Sequence, residues 1–275
     1  MKTCIVGAIV LFGAWLLPFR DAATAAPVPE TGKPSAEGIA TAEKAAKEQL
    51  DKLKGGYGTV KHVKDEPLER ALPSDIFFSV LFRQYPVGRV PPEGLKTSNL
   101  FAVDKEGKVK VVTDVKGLEE FFKAHVTAKT DDQLKDAARA WLRLSQEFVQ
   151  DGFYEFKLMD DSTKIAEEKG NKVVSGKVVV MRGGNGEINV TLTFDAGGKL
   201  VKAENDVKVK PGPRPICQAT KLLDTDPIVR RMAEQDLLIM GRAAKPYLDE
   251  QRAKAPPDLQ KAIDRMWDRI VNDDR

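Results

Sequence analysis

INVTLTFDAGGKLVKAENDVKV, residues 188–209, is the stretch on which the fold turns. Ile188, Val190, Leu192 and Phe194 alternate with Asn189, Thr191 and Thr193. A period of two places one set of side chains on a buried face and the other in water. Ala196-Gly197-Gly198 turns the chain. Val201, Ala203, Val207 and Val209 then alternate with Lys202, Glu204, Asp206 and Lys208. So short a turn joins only antiparallel neighbours, so the segment predicts part of a meander with one wet face.

Upstream, Gly183-Gly184-Asn185-Gly186 predicts another turn, with strands at 172–181 and 153–159. Before them the period changes to 3.6. Thr130 with Asp131 and Asp132 has the chemistry of a helix start, a capping hydroxyl followed by acids at the positive end of the dipole. The helix predicted from there to about Val149 carries Leu134, Ala138, Trp141, Ser145 and Phe148 on one face. A second helical stripe runs over 115–126 through Leu118, Phe122 and His125 or Val126. Strands at 100–103 and 109–113 flank a turn in which Gly107 supplies positive φ. The dense run IFFSVLFRQY, 76–85, predicts a buried strand. Residues 39–53 give a thin, alanine-rich helix that predicts weak docking, ended by Gly55-Gly56-Tyr57-Gly58.

Strands, two helices and about four meander strands predict an α+β domain over 57–212, its sheet packed on helices. That order, with the hairpin of residues 194–209, resembles the cystatin-like, nuclear-transport-factor-like and PepSY-type architectures over residues 98–210. The resemblance implies a long helix lying across a curved antiparallel sheet.

Pro211, Pro213 and Pro215 predict a boundary. Residues 213–275 then read as helices, with Asp226-Pro227 as cap and first-turn proline and Gly241 as a stop. A second helix covers 243–253. Pro256-Pro257-Asp258 opens a third through Leu259, Ile263, Met266, Trp267 and Ile270. Asp226, Val229, Arg230, Ala233, Leu237, Gly241, Ala244, Pro246 and Leu248 follow the spacing D-x-x-V-R-x-x-A-x-x-x-L-x-x-x-G…A-x-P-x-L. On these residues the segment 224–253 resembles a single HEAT-type repeat, which implies a protein-binding role. A solenoid needs about three repeats, so the apolar stripe Val229, Ala233, Leu237 and Met240 needs another cover. It is the expected partner-binding face.

The N-terminus gives an address. Lys2, the apolar run CIVGAIVLFGAWLL (4–17), Pro18 and Ala23-Thr24-Ala25 form the layout of a secretory signal peptide over residues 1–25. The run is shorter than the roughly 20 residues that span a bilayer. A Pro- and Gly-rich leader follows, and with the weak helix it fills 26–56. The expectation is an exported bacterial protein, periplasmic or extracellular, with no integral membrane span after cleavage.

The 275 residues carry a formal charge of +3. No basic stripe with interleaved aromatics is present, so no nucleic-acid partner is expected. Of the two cysteines, cleavage leaves only Cys217, so stability must come from the core and not from an internal disulfide.

Chemistry-bearing patterns are sparse. His62, His125 and Cys217 lack the spacing of a zinc site. His62 reads as a strand-edge residue and His125 as a core histidine. No serine sits in a Gly-x-Ser-x-Gly turn. Arg182-Gly183-Gly184-Asn185-Gly186 lies between strands, where a phosphate loop would need a helix. Asp131-Asp132 and Asp160-Asp161 are adjacent pairs whose side chains diverge. No catalytic, metal or cofactor residues are therefore assigned. The expected function is non-catalytic protein binding or envelope assembly. The first alternative is a small apolar ligand held between helix and sheet by Trp141, Phe148, Val190 and Leu192. The second is an enzyme with no recognisable motif.

Overall fold

The structure is a computed structural model that describes residues 34–273. The expected signal peptide and the leader up to residue 33 lie outside the described residues. The fold is α+β, with antiparallel sheets and a C-terminal helical region.

The first sheet has the order β1 (Thr59–His62), β2 (Asp75–Leu81), β3 (Ser98–Asp104) and β4 (Val109–Val112), all antiparallel. Both of its faces are covered, which explains the unbroken apolar run. Phe77, Leu100 and Ala102 face inward, while Phe78, Val80, Phe101 and Val103 face outward under helix α1 (Ala36–Lys52). The docking of α1 differs from the weak contact expected. Ala42, Ala46 and Leu50 are fully packed against Phe78, Val80 and Phe82, because alanine lets the helix backbone approach the sheet closely. The layered domain therefore begins ahead of residue 57.

Helices α2 (Glu66–Ala71), α3 (Val115–His125) and α4 (Asp131–Ser145) fill the space between this sheet and a second one. Thr130 and Gln133 close a reciprocal capping box at the start of α4, and a 3-10 turn, Gln146–Val149, extends its end. The second sheet holds β5 (Glu155–Leu158), β6 (Lys164–Glu168), β7 (Asn171–Arg182), β8 (Gly184–Phe194) and β9 (Leu200–Pro211). Strands β7, β8 and β9 form the meander, while β5 and β6 share the outer edge of β7. Strand β6 has no forecast in the sequence, since KIAEE is short and mostly charged.

Two local details depart from the sequence reading. A β-bulge shifts the register from Thr193↔Lys202 to Phe194↔Leu200. Leu200 takes the core position, and Val201, expected inward, is exposed. The glycines of 183–186 are not a simple hairpin turn either. The end of β7 pairs with β5, while Gly184 and Gly186 pair with Pro211 and Val209 of β9. Gly186 has φ of 118°, and a Cβ there would lie 1.8 Å from the Lys208 carbonyl oxygen.

The tail forms its own core. Helices α5 (Pro227–Met240), α6 (Lys245–Ala253) and α7 (Pro257–Asp273) enclose Ala233, Leu237, Met240, Ala244, Tyr247, Leu248, Ile263, Met266 and Ile270. A 3-10 turn, Ala219–Leu223, adds Ala219 and Leu222, and the Ala219 amide donates to the Tyr247 hydroxyl at 2.7 Å. Polar contacts join the tail to the layered domain. Glu250 meets Arg83 at 3.2 Å and Arg89 at 2.6 Å, and Arg83 lies over the Tyr247 ring. In the Pro-rich connection, the Arg214 side chain is 7% exposed and pairs with Asp151 at 2.6 Å. Its guanidinium stacks on Phe153 and Tyr154.

Candidate functional site

The residues expected to line an apolar pocket fill that space instead. Trp141, Val190 and Leu192 lie in the continuous core, and Phe148 packs half-buried against it. Trp141 meets Phe122 edge-on with ring centres 5.0 Å apart, and its indole N–H donates to Asn205. The expected partner face is corrected in the same way. Ala233, Leu237 and Met240 are buried in the tail's own core, and Val229 is half-buried. The 3-10 turn Ala219–Leu223 and helix α7 cover that stripe, and only Val229 keeps partial exposure.

A flanking face of α5 is the open one. Ile228 is 62% exposed, Met232 45% and Ile239 46%. At positions i, i+4 and i+11 they fall within about 40° of one another around a helix of 3.6 residues per turn. Helix α5 thus carries an exposed apolar strip roughly 115° around the helix from its buried face, with Arg230, Arg231 and Glu234 on the remaining side. Leu223 and Ile216 add exposed apolar surface nearby.

A second feature is a cleft of about 640 Å³ between the two sheets, beside α4. Arg139, Leu142, Arg143 and Gln146 project into it from one face of α4, spaced i, i+3, i+4 and i+7, and Gln150 continues the wall. The first sheet contributes Thr59, Lys61 and His62 from β1 with Ser79 and Leu81 from β2. Strand β5 and the residues before it contribute Tyr154, Glu155, Phe156 and Leu158, and Asp65 stands at the start of α2.

The charged groups of the cleft are largely engaged with one another. Glu147 is buried and takes Arg143 at 2.5 Å. Asp65 caps α2 by accepting the Leu68 amide at 2.9 Å. Burial pushes the Asp65 carboxyl above the usual carboxylate range, against the pull of that amide and of Arg143. Burial likewise lowers His62 below the ordinary histidine value. Arg139 reaches the exposed Asp160 at 3.3 Å, and its Nε is buried with no hydrogen-bond partner. Ser79 donates to the Lys61 carbonyl at 3.4 Å.

Other residues singled out in the sequence stay apart. His62 ends the edge strand β1 and touches the Phe78 ring. His125 is not a core residue. It is exposed, stacked flat on Phe121, with its Nδ1 3.6 Å from Asp75, while Val126 takes the core position. Cys217 is half-buried, and burial raises its thiol, the nearby Asp236 adding to the effect. Among the described residues no group of three His, Cys, Asp or Glu is placed to hold a metal ion, and no helix is long and apolar enough to cross a membrane. The cleft residues escaped the sequence reading because they come from segments up to 99 positions apart, Thr59 to Leu158. No family model matches this chain, and neither a curated protein nor a solved structure matches it.

Proposed function

We propose that this is an exported bacterial protein that binds a protein partner without chemical conversion, docking through the outer face of α5. The observation that carries this reading is the exposed stripe Ile228, Met232 and Ile239 on a helix whose other side is already covered. Exposed apolar residues grouped on one helix face mark an interaction site more often than scattered single residues do. The HEAT-like spacing of the tail agrees with such a role, as does the secretory layout of residues 1–25.

The test is capture from envelope extracts with the mature protein and with a Met232→Glu, Ile239→Lys variant. Both positions are exposed, so the unfolding free energy should stay within about the ±0.5 kcal/mol expected of surface changes. The wild type should retain a partner that the variant loses. Equal retention by both proteins would remove α5 as the docking face. N-terminal sequencing of exported material should begin at or within a few residues of Ala26, and a start at Met1 would sink the export reading.

A further inference from the structure

We propose that the cleft beside α4 receives an extended acidic peptide segment, paired along a strand edge and held through its carboxylates by Lys61 and Arg139. This is a second surface, independent of the α5 face.

The strand geometry is the first argument. Successive side chains of a strand point to opposite faces. Yet Lys61 and His62 of β1 both line the cleft, and so do Glu155 and Phe156, where a β-bulge interrupts β5. On the regular strand β1, consecutive residues share the cavity where it meets the edge of the strand as well as its face. Strand β1 ends the first sheet, and β5 lies on the outer side of β7 in the second. The outward backbone groups of an edge strand are a ready template for an added strand. Two such edges flank the cleft.

Charge is the second argument. The acids of the cleft have protein partners: Asp65 the Leu68 amide, Glu147 the Arg143 guanidinium, and Glu155 the Arg182 side chain at 3.7 Å. The cations are less occupied. Lys61 makes no side-chain ion pair among the described residues. Arg139 has only the exposed Asp160 at 3.3 Å, and its buried Nε lacks an acceptor. A guanidinium that turned towards a bound carboxylate would gain the acceptor it lacks, in a paired geometry suited to that group. Leu81, Leu142, Phe156 and Leu158 supply apolar wall for the side chains that alternate with the acidic ones.

The test uses the full mature chain and fluorescence anisotropy with three labelled hexapeptides. The first alternates valine and glutamate with both ends blocked. The second replaces glutamate by glutamine. The third is the glutamine peptide with a free C-terminal carboxylate. The glutamate peptide should bind at least about ten-fold more tightly than its blocked glutamine counterpart. Lys61→Glu, at an exposed position that leaves folding intact, should weaken it by at least about ten-fold, and Arg139→Gln should add to the loss. Met232→Glu should leave it unchanged. Amide exchange should slow in β1 or β5 on binding. Binding of the third peptide in place of the first would identify a chain-end site and overturn the proposal. Three further results would overturn it: equal binding of the two blocked peptides, glutamate-peptide affinity indifferent to Lys61→Glu, or no binding of any peptide at about 1 mM.

Discussion

Trp141 on α4 donates its indole N–H to the Asn205 side-chain oxygen on β9 at 3.0 Å, across 64 positions of sequence. One hydrogen bond thus joins the largest buried aromatic of the helical layer to the edge strand of the second sheet. A buried indole needs such a partner, since an unpaired donor in the core costs about 1–3 kcal/mol.

Trp141→Ala should therefore cost about 3–5 kcal/mol, the range for deleting a buried large aromatic. Asn205→Leu should cost about 1–3 kcal/mol by orphaning the indole N–H. Chemical denaturation checks both. A loss under about 1 kcal/mol for Trp141→Ala would mean that α4 is not docked as described.

Arg214 should behave as a pin between the layered domain and the tail. Its guanidinium is buried, pairs with Asp151, and stacks on Phe153 and Tyr154. Arg214→Ala leaves the mostly buried Asp151 carboxylate without its cation, which costs about 3–5 kcal/mol for a buried pair. Limited proteolysis should show faster cleavage in residues 211–218 of the variant. An unchanged cleavage rate would refute the pinning role.

Two glycines with positive φ should respond differently to alanine. At Gly107, φ is 79° and nothing lies within 4 Å of an added Cβ, so only the backbone term of about 1–2 kcal/mol applies. At Gly186 the added atom would meet the Lys208 carbonyl oxygen at 1.8 Å, so β8 and β9 must part. Thermal melts should place Gly186→Ala well below Gly107→Ala, and equal melting temperatures would contradict the register of that hairpin.

Asp75 gives the fold a pH dependence. Burial raises its carboxyl above the ordinary 3.8, only partly offset by His125, and its Oδ2 has no hydrogen-bond partner. The folded protein thus holds this proton more tightly than the unfolded chain. The resulting stability is fully present below about pH 3.8 and is lost as pH rises through the higher folded value. Asp75→Asn should raise the denaturation midpoint at pH 7 and change it little below that window. A lower midpoint at pH 7 would show that the contact with His125 outweighs the burial.

Much of the fold could be read from local pattern, because alternation and helical stripes depend only on which face meets the core. Ile188, Val190, Leu192 and Phe194 are all buried as their alternation implies. The start of α4 at Thr130 and the stop of α5 at Gly241 follow from capping chemistry. Where two patterns compete, or distant segments meet, the chain alone is silent. Val201 alternates correctly, yet the bulge opposite Phe194 hands its place to Leu200. Helix α5 carries two apolar stripes, and only the packing of the Ala219–Leu223 turn and α7 decides that Leu237 is inside and Met232 outside. The cleft is the extreme case. Lys61, Asp65, Arg139 and Glu155 each look like solvated charges in sequence. They become neighbours only because two sheets end beside the same face of α4, and that placement is a property of tertiary packing rather than of any local period.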